Sequence, residues 1–444
     1  MRSLLPPNQS HLAYNLILFQ HIRQTDRIAK IISKIDLSCV YDLCRHFYSP
    51  NPWGRIAEFR PQDALRSLIV MYLAGFTSIN KWVKELKDTS RYAYLSGFTP
   101  ERTPSKAYFS WFTSNLFGND VDIDDIMTQG TLLKKIFETA FVSKSINLGI
   151  IDPNDKVIFD GCKAKSFCKQ KYKPDKSCRC SSKSIKPFKC SMCTDSEATR
   201  GYDHNLDEYL MGYGLHFAVT PIVDNPSKCL PLTFFVSGAD VHDSKVALHL
   251  LMYLYHDMEV DFNYVILDSG YDAFYIYWWI CLLGGKPIIA INPRNSQTPT
   301  PENKYGLPVC PAGHEYYYWG VDKKKRRYKW RCPLKASKKL AKKLKCNKPC
   351  CDSSYGKTVY THIEEDIRWF TQVPRGSKLW DELYSRRARI ESVIGDTVLN
   401  NGLKSPLFRG AKNFFVRTAL VCMLQHAKTI AEVLESIEYQ ENAS

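Results

Sequence analysis

The sequence predicts an α+β protein, with a helical N-terminal domain over 1–145 followed by a mixed-sheet domain that cysteine-rich insertions interrupt. Three observations predict it. The first 145 residues space their apolar side chains at helical intervals, without strand alternation. From about residue 150, short apolar runs bounded by turn residues take over. Those runs form three strands able to pair as a meander, after which strand and helix alternate.

In the N-terminal part, Pro61 precedes Leu65, Leu68, Ile69, Tyr72, Leu73 and Phe76, one face of a helix with proline in its first turn. Gly75 reads as its stop, and Ser78 can cap a second helix carrying Ile79, Trp82, Val83 and Leu86. Two helices joined by a short glycine turn fit helix-turn-helix DNA binding and fit a helical bundle equally well.

The strands are read at Lys156–Phe159, running into Asp160, then at Leu215–Thr220 and Leu232–Val236, with Asp224-Asn225-Pro226 turning between the last two. A helix over Ser244–Tyr255, a strand Tyr264–Leu267 running into Asp268, a helix Ala273–Leu283 and a strand Pro287–Ile291 follow. This is the order of an RNase H-like fold, in which metal-binding carboxylates sit at the ends of the first and fourth strands and on a later helix. Asp160 and Asp268 fall at those two strand ends. The expected divisions are 146–292 for the first part of this domain, with a Cys-rich basic loop at 162–200, then a Cys-rich basic insertion at 293–364. The C-terminal part, 365–444, carries a helix with Glu391 and a last apolar helix over Phe414–Ala431.

Composition narrows the partner. Of 444 residues, 61 are Lys or Arg and 45 Asp or Glu, and the net charge of +16 points to a polyanion, most commonly nucleic acid. The longest apolar stretch, Phe274–Gly285, is about a dozen residues where a membrane span needs about 20, so it reads as a buried helix. The N-terminal residues lack a signal-peptide pattern, and the expectation is a cytoplasmic, nucleoid-associated protein with no membrane partner. In a reducing compartment the 16 cysteines favour metal over disulfides. Ser-His-Asp, Gly-x-Ser-x-Gly and phosphate-loop signatures are not evident, which removes support for an esterase or nucleotide hydrolase.

Phosphodiester cleavage without a covalent enzyme intermediate uses two metal ions, one to make water acidic and one to stabilise the leaving oxygen. Magnesium takes hard oxygen ligands and keeps several waters, so two or three converging carboxylates suffice. On the helix around Glu391, Tyr384, Arg387 and Glu391 are related by 3 and 7 residues and project from one face, while Leu383, Ile390 and Ile394 line the neighbouring core face. A guanidinium there suits phosphate because its planar fork donates two parallel hydrogen bonds.

Asp160-Gly161-Cys162-Lys163, Gly214-Leu215-His216, Val241-His242-Asp243-Ser244, Asp268-Ser269-Gly270-Tyr271-Asp272 and Tyr384-x2-Arg387-x3-Glu391 resemble successive blocks of bacterial insertion-sequence DDE transposases, the last resembling their Tyr-Arg-Glu-Lys signature. Arg60-Pro61 to Phe112 is similar to the helical domain that precedes the catalytic core in such enzymes. The resemblance implies that Asp160, Asp268 and Glu391 are catalytic and coordinate two Mg2+ or Mn2+ ions. It implies that Tyr384 and Arg387, with Arg386 and Arg389 beside them, contact double-stranded DNA at transposon ends and target, within a homodimer that bridges two ends. The signature lysine falls at Val398; either Lys404 or Arg389 replaces its phosphate contact, or the contact is absent. A nuclease on the same fold without strand transfer, and a non-catalytic DNA-binding protein derived from a transposase, are the alternatives. His216 and His242 fit the blocks and read as structural histidines.

Two cysteine groups remain. Cys178, Cys180, Cys190 and Cys193 have spacings compatible with tetrahedral zinc or with a loop of free thiols. Among Cys310, His314, Cys332, Cys346, Cys350 and Cys351, the set Cys310, Cys332, Cys346 and Cys350 is a candidate zinc site. The run Lys323–Arg331, including Lys325, Arg326 and Arg327 with Tyr328 and Trp330 interleaved, reads either as a DNA contact that stacks on an exposed base or as a solvated hairpin face.

Overall fold

The structure is a computed structural model and describes residues 10–48, 57–118, 121–122, 125–168, 194–203, 206–292, 306–362, 367–396, 401–403 and 407–443. The helical N-terminal region centres on α1 (Pro61–Leu73), joined to α2 (Ile79–Asp88). α1 ends as predicted: Gly75 has φ +82°, which only glycine adopts cheaply, and the Phe76 N–H returns to the Met71 carbonyl at 2.9 Å. Ser78 occupies the cap position of α2, yet its side chain makes no capping bond.

α1 is not the one-faced helix that its apolar spacing suggests. Every residue from Pro61 to Tyr72 is buried, including Gln62, Asp63, Arg66 and Ser67. Burying these polar groups requires partners. The Arg66 guanidinium donates to Asp63 and lies 3.7 Å over the Tyr14 ring, and Ser67 Oγ accepts from Trp82 Nε1 at 2.9 Å. With all sides enclosed, α1 is the centre of a bundle.

The sheet has six strands: β1 (Lys156–Lys165), β2 (Thr199–Asp203), β3 (Glu208–Pro221), β4 (Cys229–Gly238), β5 (Tyr264–Leu267) and β6 (Lys286–Ile289). Its path runs β2-β3-β1-β5-β6, with β4 also paired to β3. β1, β3 and β4 pair antiparallel, whereas β5 and β6 extend the sheet from β1 in parallel. An antiparallel meander followed by two parallel strands is the RNase H-like arrangement that the order of apolar runs predicts. α3 (Asp243–His256) and α4 (Phe274–Leu282) supply the crossovers to the parallel strands.

The insertion contains a second sheet, β7 (Tyr317–Asp322), β8 (Arg327–Arg331) and β9 (Thr358–His362), in that order and antiparallel. Its return to the main body is tied down at Asp272, which holds Arg368 through contacts of 2.8 and 2.7 Å, and at buried Arg375, which donates to the Ile289 carbonyl and the Tyr277 hydroxyl. α5 (Lys378–Ser385) then approaches β6, and α6 (Ile390–Ile394) approaches β1 and β4. The last helix, α7 (Ala411–Ala443), packs on both β4 and α1, so one apolar core runs from Tyr14 through the sheet to Ile430. Among the described residues no helix is long and apolar enough to cross a membrane. α4 is not buried all round as its composition suggests: Phe274, Tyr275, Trp278 and Leu282 are exposed.

Candidate active site

The parallel pairing of β1 with β5 stops at Ile158 and Ile266, and two residues beyond that point on each strand stand Asp160 and Asp268. β1 does not end at Asp160. It continues to Lys165 because β3 keeps pairing with it after β5 has turned away. Asp160 thus sits where one neighbour leaves the sheet, and Asp268 opens the turn after β5, its Oδ1 accepting the Gly270 N–H at 2.7 Å. The Asp160 side chain is 17% exposed and that of Asp268 35%.

The third acid arrives on a broken helix. α5 stops at Ser385, Arg386–Arg389 form a tighter 3-10 turn, and α6 begins at Ile390. The four-residue offset survives the break, and Arg387 Nη2 donates to Glu391 Oε1 at 3.2 Å. Leu383 and Ile390 are buried, as the core face requires.

Arg387 joins the three acids. Its guanidinium lies 3.8 Å from Asp160 Oδ2 and 4.0 Å from Asp268 Oδ2, besides its bond to Glu391. Tyr384 is half-buried, stacks on Trp380 at 4.6 Å and senses both Arg387 and Asp268 electrostatically. Burial pushes the Tyr384 phenol upward, with Asp268 adding to it and Arg387 opposing. Arg386 turns elsewhere, reaching the Pro226 carbonyl at 3.4 Å, and Arg389 is exposed near Cys229. Neither is grouped with the carboxylates.

Electrostatics mark Asp160 as the strained member. Burial raises its carboxyl to about 7, with Asp268 and Asp243 adding like charge against the Gly161 N–H and Arg387. Asp243 behaves oppositely. Burial would raise it, but the His216 ring, Lys163 and His242 outweigh that and bring it down to about 2. His216 Nδ1 is 3.1 Å from Asp243 Oδ1, a close but poorly aligned pair, and its Nε2 is 2.8 Å from Ser237 Oγ. A Cβ on Gly161 would stand 2.8 Å from Asp243 Oδ1, so glycine is needed there. Nothing local in Val241-His242-Asp243-Ser244 distinguishes Asp243 from an ordinary first-turn acid. The signal lay in His216 and Asp243 reaching the same strand end from β3 and α3.

Among the described residues no three His, Cys, Asp or Glu side chains already close on one metal position: Arg387 lies between the acids, and the predicted set Cys310, Cys332, Cys346 and Cys350 is not drawn together either. The donor set is nevertheless all carboxylate oxygen, which suits a hard divalent cation. A buried Asp160 beside two other carboxylates is also a site short of positive charge.

In the insertion, Tyr328 and Trp330 point inward and are buried, so neither can stack on a base. Lys325, Arg326 and Arg327 form the exposed turn between β7 and β8 and the start of β8. Cys310 heads a tight hairpin: its N–H reaches the His314 carbonyl at 2.8 Å, and the His314 N–H points at its Sγ at 3.4 Å. Cys178, Cys180, Cys190, Cys193, Val398 and Lys404 lie outside the described residues.

An RNase H-like sheet with three acids gathered at the open end of its parallel strands defines a class of carboxylate-centred α+β proteins. Within it, residues 16–115 match the family described as Transposase domain (DUF772), and residues 180–398, which include Asp268 and Glu391, match the Transposase DDE domain. The chain belongs to the insertion-sequence DDE transposases. No curated protein matches it.

Proposed function

We propose that this transposase cuts DNA at the terminal inverted repeats of its insertion sequence and transfers the 3′ ends to target DNA, with Asp160, Asp268 and Glu391 holding two Mg2+ or Mn2+ ions. The observation that carries the reading is the convergence of these three acids, from two strands and a distant helix, on the single guanidinium of Arg387. Bound divalent ions supply acidity to an attacking hydroxyl and charge to the leaving oxygen. Arg387 and Tyr384 hold the scissile phosphate, and Arg386, Arg389, Lys325, Arg326 and Arg327 contact the backbone of double-stranded DNA. Two copies act together on the two ends, in the cytoplasm at the nucleoid.

Purified protein incubated with its repeat ends, a supercoiled target plasmid and Mn2+ should give end cleavage and joined products, both lost in Asp268→Asn. Cleavage without joining would favour a nuclease; retention of cutting in Asp268→Asn would remove the carboxylate from the chemistry.

Structural zinc belongs to the same reading. The insertion has a core cluster of five buried side chains, Leu307, Cys310, Tyr316, Tyr328 and Trp330, and modules with so little apolar burial commonly need a metal staple. The Cys310 hairpin orients one thiol, and Cys350, Cys310, Cys332 and Cys351 all act on the Tyr316 phenol, although among the described residues they do not close on one metal position. Cys346 completes the proposed set, next to Lys345, whose carbonyl meets His314 Nε2 at 2.9 Å. Mass spectrometry of protein prepared without chelator should find zinc, with one equivalent lost in Cys310→Ser. Zinc-free wild type, or full zinc content in Cys310→Ser, rejects this site.

A further inference from the structure

We infer that the outer face of the β7-β8-β9 sheet is a stacking platform for unpaired DNA bases. The inference rests on the reading of this chain as a DNA-processing enzyme only in choosing DNA as the single strand.

The sheet has two unlike faces. Tyr318, Tyr328, Trp330 and Val359 turn inward onto the small core. On the outer face, Arg331 stands opposite Tyr317 and Lys329 opposite Tyr360, and Trp319 is added at an irregularity between Tyr318 and Gly320. Tyr317, Trp319, Tyr355 and Tyr360 are 42%, 44%, 42% and 41% exposed. Four large rings on one small surface are costly to leave in water unless a partner covers them.

Cations hold these rings in place. The Arg331 guanidinium lies 4.0 Å from the Trp319 centroid and 3.4 Å from that of Tyr355, while donating to the Tyr355 carbonyl at 2.6 Å. Arg327 lies 3.8 Å over Tyr360, and Lys329 donates to the Tyr355 hydroxyl at 3.2 Å. Each of these three rings therefore has a cation on one side that fixes its orientation, and its remaining exposed surface is presented without further ordering cost.

Charge complementarity selects the occupant. Between residues 306 and 362, Lys and Arg number 15 and Asp and Glu number three, a net charge of +12 out of the chain's +16. A protein partner with so acidic a surface would have no need of four open rings. Duplex DNA satisfies the charge but hides its base faces in the stack. A single strand satisfies both, because its phosphates meet the lysines of the β7–β8 turn while its bases lie on the rings.

The test uses the full chain, a fluorescein-labelled oligothymidine of about 20 nucleotides and a duplex of equal length, with binding read by anisotropy at about 0.15 M salt. Trp319→Ala combined with Tyr360→Ala should weaken oligothymidine binding at least about tenfold, since each variant side chain removes one base–ring stack. Duplex binding should change less than about twofold, and Trp319→Phe with Tyr360→Phe should restore most of the loss. Oligothymidine should also quench the tryptophan emission of the unmodified protein, a readout that does not depend on how the variants fold. Unchanged oligothymidine affinity, an equal loss for duplex, or absent quenching overturns the platform. Asp160→Asn should keep oligothymidine binding, so failure to cut DNA and failure of this surface are separately visible.

Discussion

Asp160→Asn is expected to abolish DNA cutting while making the metal-free protein more stable at neutral pH. The carboxyl is pushed from 3.8 to about 7, by burial first and then by Asp268 and Asp243. A group whose folded-state value lies above its unfolded one favours folding when protonated. Its contribution is complete below about pH 4 and is lost as pH rises toward 7. The shift corresponds to a ceiling of about 4 kcal/mol at pH 8. Asparagine keeps an oxygen for the Gly161 N–H, which Asp160 Oδ1 now accepts at 2.8 Å, and removes the charge. Thermal unfolding in chelator should therefore show a higher Tm for the variant at about pH 8 and little difference near pH 4. Cutting should fall by roughly a thousandfold or more, the scale of losing a group that stabilises developing charge. An equal gain in Tm at both pH values would mean that the charge at Asp160 is not the source of strain.

The readable and unreadable parts of this fold divide along physical lines. Apolar runs such as Val157–Phe159 and Val265–Leu267 reveal buried parallel strands because both faces are covered and no alternation is needed. The continuation of β1 through Asp-Gly-Cys-Lys-Ala-Lys is hidden, since it depends on β3 remaining as a partner after β5 departs. β2 is hidden for the same reason: Thr-Arg-Gly-Tyr-Asp has no apolar run and pairs only because β3 is long. α1 misleads in the opposite direction. Its apolar stripe is real, but the Asp63–Arg66 pair allows its polar side to be buried too.

At the site, the two aspartates follow from strand ends, and Glu391 follows from its offset to Arg387, which a helix break inside Arg386–Arg389 leaves intact. That Arg387 spans all three acids is a tertiary fact without a local signal. In the insertion the signal was present in the sequence. Arg327, Lys329 and Arg331 alternate with Tyr328 and Trp330, and a period of two on a strand sends cations and rings to opposite faces. The rings available to a ligand had therefore to come from β7, β9 and the segment before β9.

Replacing Arg387 by glutamine should separate ion binding from catalysis by moving them in opposite directions. In the metal-free protein its guanidinium, one-quarter exposed, is the charge shared by Asp160, Asp268 and Glu391. A divalent ion entering among these carboxylates meets a positive charge about 4 Å from the oxygens it must bind, a repulsion of up to about 8 kcal/mol for a double charge at an effective dielectric near 20, and far less with solvent screening. Removing that charge should tighten Mn2+ binding by about tenfold in calorimetric titration. Glutamine cannot offer a bidentate fork to phosphate, so single-turnover cutting at saturating Mn2+ should fall by about a hundredfold. Arg387→Lys restores the charge without the fork and should return Mn2+ affinity toward wild type while cutting stays low. Weaker Mn2+ binding in Arg387→Gln would show instead that the guanidinium assembles the acids, and its present position between them would then be the working one.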